Sequence, residues 1–266
     1  MLGAIIGDII GSRFEFDEKP KEGFTLFMDK PRCDYTDDTV MTVAVADAIL
    51  EHKEYKDAMR DWGNRYPHPK GEYGYMFAEW LRSDIPVPHK SWGNGAAMRV
   101  SAVAWLFNDY HEVLEEAKRS AICSHLHGEA IKGAQCVATL IYWLRTCRIT
   151  KEEVEGAVKR NFGYVIPPLR DIYKIGAQGH FDASCQETVP WAIRCFLDSD
   201  NFEDAIRKAV MARGDADTKA AICGSIAEAF YNIPESFYDK ACDYLEPDML
   251  DVVQKFCTAV QKEMDL

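Results

Sequence analysis

The sequence predicts an all-α protein, a compact orthogonal bundle of many helices, on the strength of two observations. Apolar residues recur at helical spacing through most of the 266 residues, and only one short segment, 23–28, has the composition of a strand. Many helices with almost no strand favour helix-on-helix packing. No change of composition marks a linker, so we expect residues 1–266 to form a single domain.

The individual helices are predicted from their periodicity and from the residues that flank them. Residues 39–51 and 219–231 are rich in alanine, and their length favours buried helices over strands. Pro234 and Pro247 each mark a break just before a helix. The other predicted helices cover residues 95–107, 111–122, 128–145, 151–160, 188–197, 202–213, 234–245 and 248–263. Residues 62–76 and 83–95 are predicted to be loops, and loops of this length are often functional.

The charge balance limits the classes of partner. The formal net charge is -12, which disfavours non-specific binding to nucleic acid. The chain also lacks a basic run that would dock on an anionic membrane. A substrate that carries phosphate would therefore need positive charge supplied locally, and a pair of metal ions would supply it.

The cysteines and the N-terminal segment indicate a cytoplasmic protein. Nine cysteines are scattered without a Cys-x-x-Cys pair, which is typical of reduced, buried thiols rather than of a zinc ribbon or disulfide framework. Residues 1–11 are apolar, but Asp8 interrupts them and no basic residue precedes them. No stretch approaches the roughly 18 apolar residues of a membrane span.

Two short clusters carry the chemistry. Thr36-Asp37-Asp38-Thr39 and Asp215-Ala216-Asp217-Thr218 each stand just before an alanine-rich helix. Each could be an ordinary helix cap, because Thr and Asp satisfy the free N–H groups there. A cap needs one acceptor, however, and each cluster offers two carboxylates and at least one hydroxyl.

If the two clusters meet, at least four carboxylates converge. Two like charges 4 Å apart repel by roughly 4 kcal/mol at an effective dielectric constant of 20, so such a group must take up protons or bind cations. Oxygen ligands without Cys or His select Mg²⁺, Mn²⁺ or Ca²⁺ over Zn²⁺ or Cu²⁺. Several carboxylates that can bridge suggest two metal ions.

Five motifs in the same order give a resemblance to a known family. The chain resembles the ADP-ribosylglycohydrolases, through motifs that span residues 3–231. These motifs are Gly7-Asp8-Ile9-Ile10-Gly11-Ser12 with Glu15, Thr36-Asp37-Asp38-Thr39, Gly93-Asn94-Gly95-Ala96-Ala97-Met98-Arg99, Ser124-His125-Leu126-His127 and Gly214-Asp215-Ala216-Asp217-Thr218.

The resemblance implies an all-α fold with a central dinuclear metal cleft. The metals would be two Mg²⁺ ions, with Mn²⁺ as the alternative. Their implied ligands are Thr36, Asp37 and Asp38 from one cluster and Asp215, Asp217 and Thr218 from the other. The implied reaction is hydrolysis of the bond between the distal ribose of ADP-ribose and its acceptor.

The implied catalytic residues are Glu15, Asp37 and Asp38. Cleavage develops positive charge at the anomeric carbon, which nearby carboxylates stabilise, and one of them can activate water or protonate the leaving group. Glu15 would be a mobile gate or an acid/base residue; without the resemblance it is equally well a solvated residue. Asp8 is expected to hold the N-terminal helix against the site.

The implied substrate-binding residues are Gly93, Asn94, Gly95 and His125. Backbone N–H groups of a Gly-Asn-Gly loop before a helix suit a diphosphate, although the same tripeptide is also a common turn. Arg99 is expected to be structural, and His127 is open between the two roles. Tyr73, Tyr75 and Phe77 are candidates for stacking on adenine or for plain packing.

The leading functional hypothesis is removal of ADP-ribose from arginine on a protein, by a monomeric enzyme. ADP-ribosyl-serine, O-acetyl-ADP-ribose and ADP-ribosylated nucleic acid are alternatives within the same chemistry. A non-catalytic module that binds ADP-ribose and a purely structural helical protein are alternatives of other classes. The expected partner is thus an ADP-ribose-containing substrate, an ADP-ribosylated protein in the leading case.

Overall fold

Helices account for nearly all of the regular structure. The computed structural model describes residues 1–16 and 18–264, and within them there are fifteen α-helices and no strand. The helices are α1 (Leu2–Gly11), α2 (Asp37–Leu50), α3 (Tyr55–Arg65), α4 (Tyr75–Arg82), α5 (Gly95–Met98), α6 (Ser101–Leu106), α7 (Tyr110–Ile122), α8 (Gly128–Arg145), α9 (Val154–Phe162), α10 (Leu169–Ala177), α11 (Cys185–Leu197), α12 (Phe202–Met211), α13 (Ala216–Glu228), α14 (Glu235–Cys242) and α15 (Pro247–Met264). The predicted all-α class is confirmed.

The strand predicted over residues 23–28 is wrong. This segment is irregular and has no neighbouring strand to pair with in the described part of the chain. Its backbone carbonyls accept hydrogen bonds from side chains instead: Arg13 Nη2 donates to Thr25 O at 2.5 Å and Arg207 Nη1 to Phe24 O at 2.7 Å. The aromatic residues that suggested a strand pack inward, with Phe24 4.8 Å from Phe14 between ring centroids.

The helix predictions need two further corrections. Residues 95–107 form two short helices, α5 and α6, separated at Arg99 and Val100. Three helices, α3, α4 and α10, lie in segments where none was predicted. Each is short, and α4 begins within the aromatic segment 62–76, where Gly and Pro suggested a loop.

An unusually close helix pair places the two ends of the site. Helix α1 packs along α13 through glycines four residues apart, Gly3, Gly7 and Gly11. A Cβ atom on Gly7 would lie 2.1 Å from Ala220 O, and one on Gly3 would lie 2.1 Å from Gly224 O. Only glycine permits this approach, since the two backbones are nearly in contact. The contact brings the end of α1 to the start of α13.

Helices α2 and α13 lie inside the bundle. Residues 38–48 of α2 and 216–227 of α13 are buried without interruption, which is why these helices show no polar face. Small residues dominate both, so neighbouring helices can pack on every side. Both helices start at an Asp-rich turn, and the turns therefore lie within the protein. No helix in the described ranges is long and apolar enough to cross a membrane.

Candidate active site

Asp8 organises the first cluster. Its carboxylate accepts hydrogen bonds from the backbone N–H and hydroxyl of Thr36, at 2.9 and 2.7 Å, and from those of Thr39, at 3.1 and 2.5 Å. Burial raises the pKa of Asp8 to about 6 although all four donors favour the charged form. Asp8 thus ties α1 to the turn that begins α2, as expected. Thr36 also caps α2, accepting from Asp38 N at 3.2 Å.

The two clusters meet in space. Thr218 Oγ1 donates a hydrogen bond of 3.0 Å to Asp38 Oδ2, across 180 residues of sequence. Asp38 Oδ1 is buried and has no hydrogen-bonding partner within the described residues. A buried carboxylate oxygen without a donor is costly, and this one lies where the sequence predicts a cation.

Glu15 completes the acidic group. One carboxylate oxygen from each of Glu15, Asp215 and Asp217 lies within 4.8 Å of the others. Glu15 reaches the group because α1 ends at Gly11 and the chain turns over the start of α13. Its Oε2 lies 3.0 Å from the position that a Cβ on Gly71 would take, so the loop before α4 closes over it.

The carboxylates of this group resist ionisation in the absence of a cation. Burial raises the pKa of Asp37, Asp38 and Asp217 well above the usual value, and the neighbouring carboxylates raise it further. Burial and then Asp215 raise the pKa of Glu15 to about 8. A divalent cation removes both costs at once, so the residues present fit a metal centre with hard oxygen ligands.

A cavity of about 420 Å³ opens onto this group. Of the six predicted metal ligands, all but Thr36 line it, and Thr36 is buried behind them. The opposite walls contain the predicted substrate residues and candidate stacking rings, namely Gly93, Asn94, Gly95, His125, Tyr73, Tyr75 and Phe77. Tyr75 is 73 % exposed, whereas Tyr73 and Phe77 are buried. The structure therefore brings every predicted site residue except Thr36 to the lining of one cavity.

The Gly93–Gly95 loop contacts the acidic group through the side chain of Asn94. Asn94 Nδ2 donates to Asp215 Oδ2 at 2.6 Å and to Thr188 Oγ1 at 3.0 Å. Two of the three loop N–H groups already have partners, because Gly93 N donates to Ser91 Oγ and Asn94 N to Ala183 O. This narrows the predicted backbone contact with phosphate to the third N–H group, that of Gly95.

Two histidines and an arginine lie behind this loop. His125 is buried, shares a 2.8 Å hydrogen bond between its Nδ1 and Ser124 Oγ, and covers Gly95. Arg99 lines the cavity and donates to Ser120 O and to Ser124 Oγ at 2.8 and 2.7 Å, and these two contacts are structural. His127 caps α8, its Nδ1 accepting from Glu129 N at 3.1 Å.

Sequence reasoning missed two residues of this site. His89 lines the cavity beside His125, with ring centroids 4.7 Å apart, and both of its ring nitrogens are buried without a partner in the described ranges. Lys219 is buried behind Asp215, donates to Arg213 O at 2.8 Å and lies 5.0 Å from the centroid of the Trp191 ring. Lys219 directly follows the second cluster, and this position could have identified it from the sequence. His89 lies in a predicted loop and belongs to no motif.

The comparison with family models decides the class. The model of the ADP-ribosylglycohydrolases, described as "ADP-ribosylglycohydrolase", matches residues 1–264. The chain belongs to the ADP-ribosylglycohydrolase family. It is therefore an enzyme, and the non-catalytic module and the purely structural protein are set aside. The family is metal-dependent, and the acidic clusters of the cleft could bind metal.

Individual relatives agree with this assignment. The chain is 24 % identical to the mouse and human proteins named "ADP-ribosylhydrolase ARH3", over 94 % of this chain and 88 and 90 % of theirs. It is 25 % identical to "ADP-ribosylarginine hydrolase Tri1" of Pseudomonas putida, over 88 % of this chain and 70 % of that one. A solved structure described as "ADP-ribosylglycohydrolase-related protein complex" shares the fold, with a TM-score of 0.70, 23 % identity and 97 % of both chains covered.

Proposed function

We propose that this ADP-ribosylglycohydrolase releases ADP-ribose from arginine side chains of proteins, using two Mg²⁺ ions, or two Mn²⁺ ions in their place. The observation that carries the proposal is the convergence of Asp38, Asp217, Thr218 and Glu15 on one cavity, with a buried carboxylate oxygen that lacks a donor among the described residues. The arginine acceptor is supported by the relative from Pseudomonas putida, which is named an ADP-ribosylarginine hydrolase.

The proposed ligands are Thr36, Asp37 and Asp38 together with Asp215, Asp217 and Thr218. When bound, the metals would neutralise the carboxylates, orient the ribose hydroxyls and lower the pKa of a water molecule. The protein keeps these ligands in place without the metal: Asp8 holds Thr36, Thr218 holds Asp38, and Asn94 holds Asp215. Such fixed ligands need little reorganisation on binding.

Glu15, Asp37 and Asp38 are the proposed catalytic carboxylates. They line the same cavity, so positive charge that develops on the anomeric carbon is stabilised from the acidic wall. Glu15 is on a turn and not on a helix, and it is half-buried. It is therefore placed to hold a proton at its carboxylate, either for the leaving group or from the attacking water.

The rest of ADP-ribose is proposed to follow the other walls. Gly93, Asn94, Gly95 and His125 would contact the phosphates or the proximal ribose, and the ring of Tyr73, Tyr75 or Phe77 would stack on adenine. A cavity of about 420 Å³ is within the range that small-molecule ligands occupy.

One substrate panel tests the proposal. The purified protein is incubated with Mg²⁺ and with ADP-ribose linked to arginine, to serine, to acetate or to a nucleic acid end, and free ADP-ribose is quantified. We expect the arginine conjugate to be cleaved fastest and excess chelator to abolish cleavage. Preference for another linkage would replace the proposed acceptor, and binding of ADP-ribose without cleavage of any conjugate would contradict the proposed activity. Size-exclusion chromatography with light scattering tests the predicted monomer.

A further inference from the structure

A second cavity adjoins the active-site cavity. It measures about 240 Å³ and shares Glu15, Phe16 and Phe181 with the first cavity. The rings of Phe16 and Phe181 stack with 5.8 Å between centroids and form the wall that the two cavities have in common. The Gly93–Gly95 loop lines the first cavity and does not line the second. Glu15 is therefore reached from both sides.

Two of the residues that line the second cavity are cations, Lys19 and Arg213. Its ionisable lining residues are Glu15, Glu18, Lys19, His180 and Arg213. Glu18 is paired with Arg32 at 2.5 Å, and His180 with Glu187 at 2.8 Å. Lys19 and Arg213 have no ionic or hydrogen-bonding side-chain partner among residues 1–16 and 18–264.

The backbone conformation at Arg213 is held in place by neighbouring residues of the site. Arg213 and Gly214 both have positive φ, 62° and 66°, immediately before the ligand Asp215. A non-glycine residue in this region costs free energy and persists where the surroundings hold it. Here the buried Lys219 donates to Arg213 O at 2.8 Å, and a Cβ on Gly214 would lie 2.8 Å from His180 O. Arg213 is thus fixed by the same segment that presents the metal ligands.

We infer that the second cavity binds the acceptor polypeptide next to its modified residue, and that this stretch of polypeptide is acidic. The inference rests on the proposed function. ADP-ribose in the first cavity places its scissile bond at Glu15, and the leaving group then lies on the side of Glu15 that faces Lys19 and Arg213. Carboxylates of the acceptor pair with these two cations. The pairing also reduces the repulsion between an acidic acceptor and this enzyme, which itself carries a negative net charge.

Paired substrates test the inference. Two peptides carry the ADP-ribosyl linkage that the enzyme cleaves, one flanked by Asp and Glu and the other by Lys. Each kcat/KM is divided by that of the same enzyme on a small ADP-ribosyl conjugate whose acceptor has no flanking residues, so that changes in folding or metal content cancel. We expect the acidic peptide to be preferred about tenfold, which corresponds to about 1.4 kcal/mol, and the preference to shrink as ionic strength rises.

Variants of Lys19 and Arg213 test whether the preference for the acidic peptide arises in the second cavity. The double variant Lys19→Gln with Arg213→Gln should bring the preference close to one, and Gln keeps a non-glycine side chain at the positive φ. The matched double variant Lys56→Gln with Arg148→Gln removes two exposed cations elsewhere and should keep the preference. A wild-type enzyme without preference, or a preference that survives in the first variant, overturns the inference. Failure of the proposed function would look different, since no conjugate would then be cleaved.

Discussion

At the scale of single residues, Asp217 illustrates how a carboxylate that is unfavourable for the fold can be proposed as a metal ligand. It is 3 % exposed, and burial and the neighbouring Glu15 and Asp215 raise its pKa. We expect Asp217→Asn to abolish metal binding and to lower kcat/KM by more than about a hundredfold, since even residues that only support metal ligands often cost 10–100-fold. Calorimetry with Mg²⁺ and release of ADP-ribose measure both effects.

The same variant should lose activity without losing stability in the absence of metal. Without metal, the substitution removes an ionisable group that is unfavourable to bury beside other carboxylates, so the melting temperature in chelator should not fall. Asp239→Asn, on the exposed surface, is the matched control and should keep metal binding and activity. Full activity of Asp217→Asn in the presence of Mg²⁺ would refute the role of Asp217 as a ligand.

Asn94 is predicted to position Asp215. Its Nδ2 donates to Asp215 Oδ2 at 2.6 Å, and a hydrogen bond to a charged group contributes about 1.5–3 kcal/mol. Asn94→Ala should therefore lower kcat/KM by about ten- to a hundredfold while the helical circular dichroism spectrum is retained. Steady-state kinetics on the preferred conjugate measure the change. Asn232→Ala, at an exposed position, should have no effect; equal kinetics for the two variants would show that Asn94 does not position Asp215.

The candidate metal ligands could be predicted from the sequence, but the contact between the two clusters could not. Thr36-Asp37-Asp38 and Asp215-Ala216-Asp217-Thr218 look like helix caps one at a time, and Thr36 does cap α2. That Asp38 contacts Thr218, or that Glu15 contacts Asp217, depends on packing between distant segments. His89 could not be found at all, because its significance lies in two buried nitrogens without partners, which is a property of its surroundings.

At the scale of elements, the packing of α1 on α13 sets the geometry of the site. A Cβ on Gly7 would lie 2.1 Å from the backbone oxygen of Ala220, so Gly7→Ala must push the helices apart. We expect a loss of at least about 1–3 kcal/mol in the free energy of unfolding, the usual cost of overpacking. Urea unfolding measures it. Because α1 carries Asp8 and leads to Glu15, the affinity for Mg²⁺ should fall as well.

A second glycine provides the control for this prediction. Gly128 begins α8, and a Cβ there would meet nothing within 4 Å. Gly128→Ala should leave the free energy of unfolding unchanged or raise it slightly, since alanine restricts the unfolded chain. If Gly7→Ala were equally neutral, the close approach of α1 and α13 would not be what holds the site together.

Helices could be predicted where apolar residues recur regularly along the sequence. They could not be predicted where aromatic residues, Gly and Pro occur together. The long helices α2, α8 and α13 overlap the predicted ranges because their apolar residues recur over several turns. Helix α4 begins after Gly74 in an aromatic-rich stretch that a local reading treats as loop. It forms because Phe77, Trp80 and Leu81 bury one face against the bundle, which is a tertiary effect.

At the scale of the whole molecule, metal binding should be visible as global stability. A ligand that binds only the folded state at 100 times its dissociation constant adds about 2.7 kcal/mol, which corresponds to a rise in melting temperature of roughly 5–10 °C for a chain of this size. Thermal unfolding in Mg²⁺ against chelator measures the shift. NaCl at matched ionic strength is the control, and an equal rise in NaCl would attribute the effect to screening of the net charge.

The contact between Asp38 and Thr218 also constrains how the protein comes to be made. The two acidic clusters of the cleft leave the ribosome about 180 positions apart. Until α13 has been synthesised, the glycine-lined face of α1 has no partner, and the carboxylates of the first cluster have no counterpart. Such long-range closure slows folding and leaves apolar surface exposed in the meantime. We therefore expect a nascent chain to complete the proposed metal site, and to become active, only after α13 has been synthesised.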